Sequence, residues 1–149
     1  MLIVDSREHW THSRSRDRHI KGYLERHKIL YRVEKLDVGD YMLDGGKISV
    51  DRKQGLEELS RNLLNKKDRA RFLREVKRAN EQGIKLVILI ETKEVESVPE
   101  LKRWHSQYTP ATGQALYDRM VRTMYGYGVG FKFCKQQDAA KKILEILLN

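Results

Sequence analysis

The sequence predicts a three-layer α/β fold in which helices flank a central mixed sheet. Segments with apolar residues at helical spacing alternate with short strand-like segments along the 149 residues. The most apolar segment, Leu86–Ile90, is apolar throughout, as expected of a strand at the centre of a sheet. No repeat and no low-complexity linker divides the chain, so we expect residues 1–149 to form a single domain.

The first half of the chain predicts one helix and four strands. Asp44-Gly45-Gly46 predicts a tight hairpin turn between the last two strands, because glycine accepts a positive φ. The basic stretch Ser6–Arg18 has no hydrophobic period and is expected to be a loop. The helix is expected at His19–Lys28, and the strands at Leu2–Val4, Tyr31–Leu36, Tyr41–Leu43 and Lys47–Lys53.

The second half predicts helices around two further strands, Lys85–Ile90 and Phe131–Cys134. Residues 55–82 have a helical pattern with a break near Asn65. Further helices are expected at Thr112–Tyr125 and from Asp138 onward. Apolar residues on the helix after Thr112 are interpreted as core, with a dimer surface as the alternative; they are Leu116, Met120 and Met124.

The charge balance favours a polyanionic partner. Thirty Lys and Arg against 21 Asp and Glu leave a formal net charge of +9, and neutralised phosphates release counterions. A single cysteine excludes an internal disulfide, and no Cys/His spacing predicts structural zinc. We recognise no membrane-spanning segment and no secretory signal, so we expect an intracellular protein, cytoplasmic or nucleoid-associated, without membrane binding.

The candidate catalytic residues lie in the segment Val38–Lys53. Successive strand side chains point to opposite faces, so Asp51 and Lys53 share a face, and Asp40 begins the preceding strand of the same hairpin. Two carboxylates can hold Mg²⁺ or Mn²⁺ for phosphodiester hydrolysis, and a lysine can orient water and stabilise developing charge. Taken alone, the pattern also fits a turn cap at Asp40 and a surface pair of the other two residues. Charged residues from other segments, namely Asp5, Arg7, Glu8 and Glu57, favour the catalytic interpretation.

These segments resemble the catalytic signature of the XPF-type nuclease domain, found in structure-specific endonucleases of the PD-(D/E)xK superfamily. The resemblance is carried by Val4-Asp-Ser-Arg-Glu8, Val38-Gly-Asp-Tyr41 and Val50-Asp-Arg-Lys53 with Glu57, in the family's order. It extends over almost the whole chain and implies a restriction-endonuclease-like fold. It also implies a DNA endonuclease that depends on Mg²⁺ or Mn²⁺.

The resemblance implies roles for individual residues. The metal-binding acids fall on Asp40 and Asp51 and the catalytic lysine on Lys53. Asp51 stands where the family usually has Glu, and Glu57 where it usually has Asp. Both substitutions keep the negative charge and change the length of the side chain by one methylene group. Non-catalytic members of the family lose these acids, whereas this chain keeps them. The complete candidate catalytic set is Asp5, Glu8, Asp40, Asp51, Arg52, Lys53 and Glu57.

A basic helix is the candidate DNA-binding surface. Between Lys66 and Arg78 lie seven basic and two acidic residues, and most of the basic ones point away from the apolar Phe72/Val76 stripe. An ordinary solvated face is the alternative. In the loop that begins at Arg7, Trp10 is a candidate for stacking on an unpaired base, with a flexible basic loop as the alternative. The predicted phosphate contacts are Arg7, Arg69, Arg71, Arg74, Lys77 and Arg78.

The predicted function is therefore hydrolysis of branched or flapped duplex DNA. The family's usual tandem helix-hairpin-helix module is not found in the sequence, so we expect substrate selection to depend on the domain's own charge, a homodimer or a partner protein. One alternative is a DNA-binding subunit or scaffold that does not cut. Another is a junction resolvase or restriction-like nuclease of the same superfamily, because substrate shape is read by surfaces outside the metal site.

Overall fold

A mixed six-stranded sheet organises the part of the chain that the computed structural model describes, residues 1–8 and 18–149. Strand order is β2-β1-β3-β4-β5-β6. Strand β3 is antiparallel to both β1 and β4, and the other neighbours are parallel. The strands are β1 (Leu2–Asp5), β2 (Tyr31–Glu34), β3 (Tyr41–Leu43), β4 (Ile48–Lys53), β5 (Lys85–Glu91) and β6 (Gly130–Cys134).

Helices cover both faces of this sheet, which confirms the predicted three-layer α/β fold. They are α1 (Arg18–Arg26), α2 (Leu56–Leu64), α3 (Lys66–Glu81), α4 (Gly113–Tyr127) and α5 (Ala139–Leu147). Helices α2, α3 and α4 supply Leu59, Val76 and Met120 to the core on one face. Helices α1 and α5 supply Leu24 and Ile143 to the core on the other face. Among the described residues, no helix is both long and apolar enough to cross a bilayer.

The predicted break near Asn65 separates α2 from α3. The Asn65 side chain accepts hydrogen bonds from the backbone N–H groups of Lys67 and Asp68, at 3.1 Å each. Such an N-cap satisfies amide donors that have no partner within the helix. A new helix can therefore begin here and place its basic side chains over the carboxyl end of β4.

Most element boundaries lie within one residue of those predicted, and the ends of α1, β2 and α4 differ by two residues. Strand β2 ends at Glu34, because the backbone N–H of Leu36 donates to Asp5 Oδ1 at 2.8 Å. Helix α4 continues past Gly126 and ends where Gly128 adopts a left-handed φ of 70°. Within the predicted N-terminal loop, Ser6–Glu8 form a short 3-10 turn. Residues 9–17, including Trp10, lie outside the described residues.

Candidate active site

The turn before β3 places Asp40 against β4. Gly39 has a φ of 70°, and a Cβ there would lie 2.1 Å from Ser49 Oγ and 3.0 Å from the Val50 carbonyl oxygen. Only glycine combines this φ with so close an approach. The backbone N–H of Asp40 donates to the Val50 carbonyl oxygen at 2.7 Å, and that of Arg52 donates to Asp40 Oδ2 at 2.8 Å. These bonds fix the Asp40 carboxylate at the end of β4.

Asp51 and Lys53 project from β4 toward α2 and α3. Each side chain is only 10% exposed, and Lys53 Nζ lies 3.4 Å from Asp51 Oδ2. Lys53 Nζ also donates to Oδ1 of Asn62 in α2 at 3.1 Å. Charges buried to this degree are costly unless they are paired. The structure brings Asp40, Asp51 and Lys53 together in one cavity of about 260 Å³.

Glu75 of α3 is a further carboxylate of this cavity, and sequence reasoning missed it. Its Oε2 accepts from the backbone N–H of Gly39 at 3.4 Å, and its carboxyl group also contacts Asp51. One sequence signal was available, because Glu75 follows Phe72 by three positions and so flanks the apolar stripe. Asn62, which was also missed, has no comparable signal.

Three carboxyl groups lie close together in this cavity, beside the Lys53 ammonium group. Burial, followed by the charges of Asp51 and Glu8, raises the pKa of Asp40 well above its usual value. Burial and the neighbouring Asp51 raise the pKa of Glu75 to about 8. Burial alone would lower the pKa of Lys53, but Asp51 and other carboxylates outweigh it and raise that pKa. The acids of the cavity therefore disfavour one another's ionised forms.

The donor set fits a divalent cation. Hard carboxylate oxygens are the ligands that Mg²⁺ prefers, and a nearby cation would favour the ionised carboxylates. Within residues 1–8 and 18–149, no three His, Cys, Asp or Glu side chains are grouped tightly enough to form a metal site by themselves. A pair of carboxylates suits Mg²⁺, which keeps several of its waters in most protein sites.

Arg52 points to the opposite face of β4, away from the cavity. Its side chain is 2% exposed and donates from Nε to Glu8 Oε2 at 3.2 Å and from Nη1 to Glu91 Oε1 at 2.8 Å. His19 of α1 lies 3.0 Å from the same Glu91 oxygen, and the Tyr41 hydroxyl donates to Glu8. This buried ion cluster joins the ends of β4 and β5 to the turn after β1. The backbone N–H of Arg52 reaches one predicted metal-binding acid, Asp40.

Asp5 is buried at the end of β1 and supports the site from outside the cavity. Its Oδ1 accepts from the backbone N–H of Leu36 at 2.8 Å, and its Oδ2 accepts from Arg7 Nε at 2.6 Å. Arg7 also donates to the Leu36 carbonyl oxygen at 3.0 Å. These bonds orient Arg7, which lines the cavity.

The structure does not bring Glu57 to the acidic cluster, contrary to expectation. The Glu57 carboxylate accepts from Ser106 Oγ at 2.7 Å and from the backbone N–H of Gln107 at 3.0 Å. Glu57 and Asn62 are five positions apart in α2, so their side chains differ in direction by about 140° around the helix axis. Because Asn62 of α2 faces Lys53, Glu57 faces elsewhere and anchors the segment before α4.

The basic residues of α3 that were predicted to bind DNA do not all lie on one surface. Arg71 and Arg78 line the cavity, as does Arg7. Arg74 and Lys77 are exposed on the outer side of the helix. Arg69 is partly buried and is not among the residues that line the cavity.

Comparison with known proteins agrees with this fold. The family model of the ERCC4 domain matches residues 4–147. In structure the chain is similar to XPF from Aeropyrum pernix, with a TM-score of 0.69 and 21% sequence identity over 99% of this chain. It spans 65% of the length of that protein. No curated protein sequence matches the chain.

A mixed six-stranded sheet with helices on both faces places the chain in the α/β class, with an XPF-like fold. The chain belongs to the ERCC4 domain family. The resemblance to XPF-type nuclease domains is thereby confirmed.

Proposed function

We propose that the chain is a divalent-metal-dependent endonuclease that hydrolyses phosphodiester bonds in branched or flapped duplex DNA. The observation that carries this proposal is the cavity that Asp40, Asp51 and Lys53 share at the end of the β3–β4 hairpin. Family membership and the net charge of +9 support DNA as the substrate class.

Asp40 and Asp51 would hold Mg²⁺ or Mn²⁺, with water molecules as the remaining ligands. When bound, such an ion provides Lewis-acid activation of the phosphodiester and of water. The buried position of the acids supports this assignment, because carboxylates in a low-dielectric site need a compensating cation.

Lys53 acts as a hydrogen-bond donor and a positive charge. Because its pKa is raised, it stays protonated at neutral pH and is not a general base. Its ammonium group can donate to the attacking water and stabilise the charge that develops on the phosphoryl oxygens. The contacts of Lys53 with Asp51 and Asn62 hold the ammonium group in place before substrate binds.

The remaining predicted residues bind or position. Arg7, Arg71 and Arg78 line the cavity and would contact phosphates that flank the scissile bond. Arg52 and Glu8 act as positioning residues through the buried ion cluster.

Cleavage of labelled flap, fork, junction and plain duplex oligonucleotides at matched salt tests this function. With Mn²⁺, we expect the flap or fork to be cut fastest, and EDTA to stop cleavage. Lys53→Ala should remove cleavage and leave DNA binding intact. Asp44→Asn, at the exposed turn of the same hairpin, is the matched control and should cut normally. A wild-type protein that binds DNA and cuts none of the substrates would be a non-cutting family member instead, and faster cleavage of the junction would indicate a resolvase.

A further inference from the structure

Asn62 is the partner of the Lys53 ammonium group that lies outside β4. Lys53 Nζ lies 3.4 Å from Oδ2 of Asp51, which belongs to the same strand, and donates to Oδ1 of Asn62 at 3.1 Å. Asn62 belongs to α2 and lines the cavity. An ammonium group has three N–H donors. Within residues 1–8 and 18–149, these two contacts occupy two of the donors and leave the third for water or a phosphoryl oxygen.

Hydrogen bonding fixes which end of the Asn62 amide faces Lys53. Nδ2 of Asn62 donates to the backbone carbonyl oxygen of Glu58, one turn earlier in α2, at 2.6 Å. A carbonyl oxygen can only accept and an ammonium group can only donate. Both bonds therefore form only when Nδ2 faces Glu58 and Oδ1 faces Lys53. The amide presents an acceptor to the cavity in one orientation.

Helix α2 is anchored on both sides of Asn62. Leu59 and Leu63, which flank Asn62 in the sequence, are buried in the core on this face of the sheet. At the start of the helix, Glu58 Oε2 accepts from the backbone N–H of Gln54 at 2.8 Å. Because rotation of α2 would disturb a close-packed core, the acceptor stays opposite the end of β4.

Asp51 and Asn62 respond differently to a divalent cation in the cavity. A cation at the Asp51 carboxylate attracts that group and repels the Lys53 ammonium group, so the contact between Asp51 and Lys53 becomes weaker. Asn62 has no net charge, and its amide is held by the Glu58 carbonyl oxygen. The bond between Asn62 and Lys53 therefore does not compete with metal binding.

We propose that Asn62 is a positioning residue that keeps the Lys53 ammonium group directed into the cavity while Asp51 holds the metal ion. This inference rests on the proposed function, which supplies the roles of Asp51 and Lys53. A neutral acceptor suits the position, because an apolar side chain would leave a buried donor of Lys53 unpaired. A carboxylate there would compete for the ion.

The variant Asn62→Leu tests this role, because leucine keeps the branched shape of the side chain and lacks the acceptor. Single-turnover cleavage of the forked duplex at saturating enzyme should slow by at least about tenfold, because a displaced catalytic group loses its alignment. The Kd for the fork in EDTA and the Kd for Mn²⁺ should stay within about twofold of the wild type, since the lost interaction acts on the reaction step.

Two further variants accompany this measurement. Asn62→Ala also lacks the acceptor and cannot overpack α2, so it should slow cleavage to a similar degree. Asn80→Leu makes the same chemical change at an exposed position of α3, and should cut at the wild-type rate.

NMR of the protein with isotope-labelled lysine observes the Lys53 ammonium group without any cleavage. Protons that are buried and hydrogen-bonded exchange slowly with water, and loss of the signal in Lys53→Arg identifies it. We expect the wild type to keep this signal when Mg²⁺ is added. Asn62→Leu and Asn62→Ala should lose it in Mg²⁺.

Cleavage by both Asn62 variants within about twofold of the wild-type rate, or a loss of fork affinity as large as the loss of rate, would overturn the inference. A Lys53 signal that persists in these variants with Mg²⁺, or that disappears from the wild type on adding Mg²⁺, would also overturn it. A wild type that keeps the signal and cuts no substrate contradicts the proposed endonuclease instead. The NMR comparison then still decides whether Asn62 holds Lys53.

Discussion

The backbone N–H of Arg52 donates a hydrogen bond of 2.8 Å to Oδ2 of Asp40. The side chain of Arg52 is held on the other face of the sheet by Glu8 and Glu91. The position of the donor, and with it the orientation of the Asp40 carboxylate, therefore depends on the buried ion cluster. Interactions on one face of β4 thus support the chemistry proposed for the other face.

Arg52→Ala should destabilise the protein strongly. Removing one partner of a buried ion cluster leaves uncompensated charge and costs about 3–5 kcal/mol. Urea denaturation measures this loss as a change in the free energy of unfolding. Arg32→Ala, which breaks exposed ion pairs at the edge of the sheet, is the control and should have little effect. Equal losses in the two variants would contradict a supporting role for the cluster.

Gly39→Ala and Gly45→Ala form a matched pair, because both glycines have positive φ, 70° and 74°. Any alanine in this conformation costs about 1–2 kcal/mol. At Gly39 the added Cβ would also overlap Ser49 Oγ. A Cβ added at Gly45 would have no atom of the described residues within 4 Å, apart from its chain neighbours, and would meet open space. We expect Gly39→Ala to lose about 1–3 kcal/mol more than Gly45→Ala, because the overlap forces the hairpin to shift. Equal unfolding free energies would show that the close approach to β4 is unimportant.

Glu75→Gln should change how stability depends on pH in the metal-free protein. The pKa of Glu75 is raised to about 8 in the folded chain from a reference value of 4.5. The folded state therefore binds this proton more tightly, and stability falls as pH rises from the lower value to the higher. Because glutamine does not ionise, Glu75→Gln does not lose stability in this way. The variant should be about 1–3 kcal/mol more stable than the wild type at pH 8.

Thermal and urea unfolding in EDTA at pH 5 and pH 8 measure this effect. Glu81→Gln, at an exposed position of the same helix, should keep the wild-type pH dependence. If Glu75→Gln also keeps it, the crowding of carboxylates around Asp51 is not a source of instability.

The parts of the site that sequence analysis predicted are local in the chain. Asp40, Asp51 and Lys53 lie on one hairpin, so strand alternation and a glycine turn were enough to bring them together. The helix break at Asn65 was predictable for the same reason, because a capping side chain acts on its own neighbours.

The parts that were missed depend on packing between distant segments. Glu75 and Asn62 reach the cavity only because α2 and α3 pack beside the end of β4, and no short sequence pattern encodes that packing. Glu57 was predicted to join the acidic cluster because its spacing from Lys53 matches the family signature. Its position around the axis of α2 instead directs its carboxylate to Ser106.

Direct measurement of Mn²⁺ binding, by calorimetry in the absence of DNA, tests whether Asp40 and Asp51 share an ion. The wild type and Asp44→Asn should bind one Mn²⁺ with equal affinity. Asp40→Asn and Asp51→Asn should each bind at least about tenfold more weakly, because each removes a charged ligand from a small donor set. Wild-type affinity in both of these variants would contradict the proposed metal site.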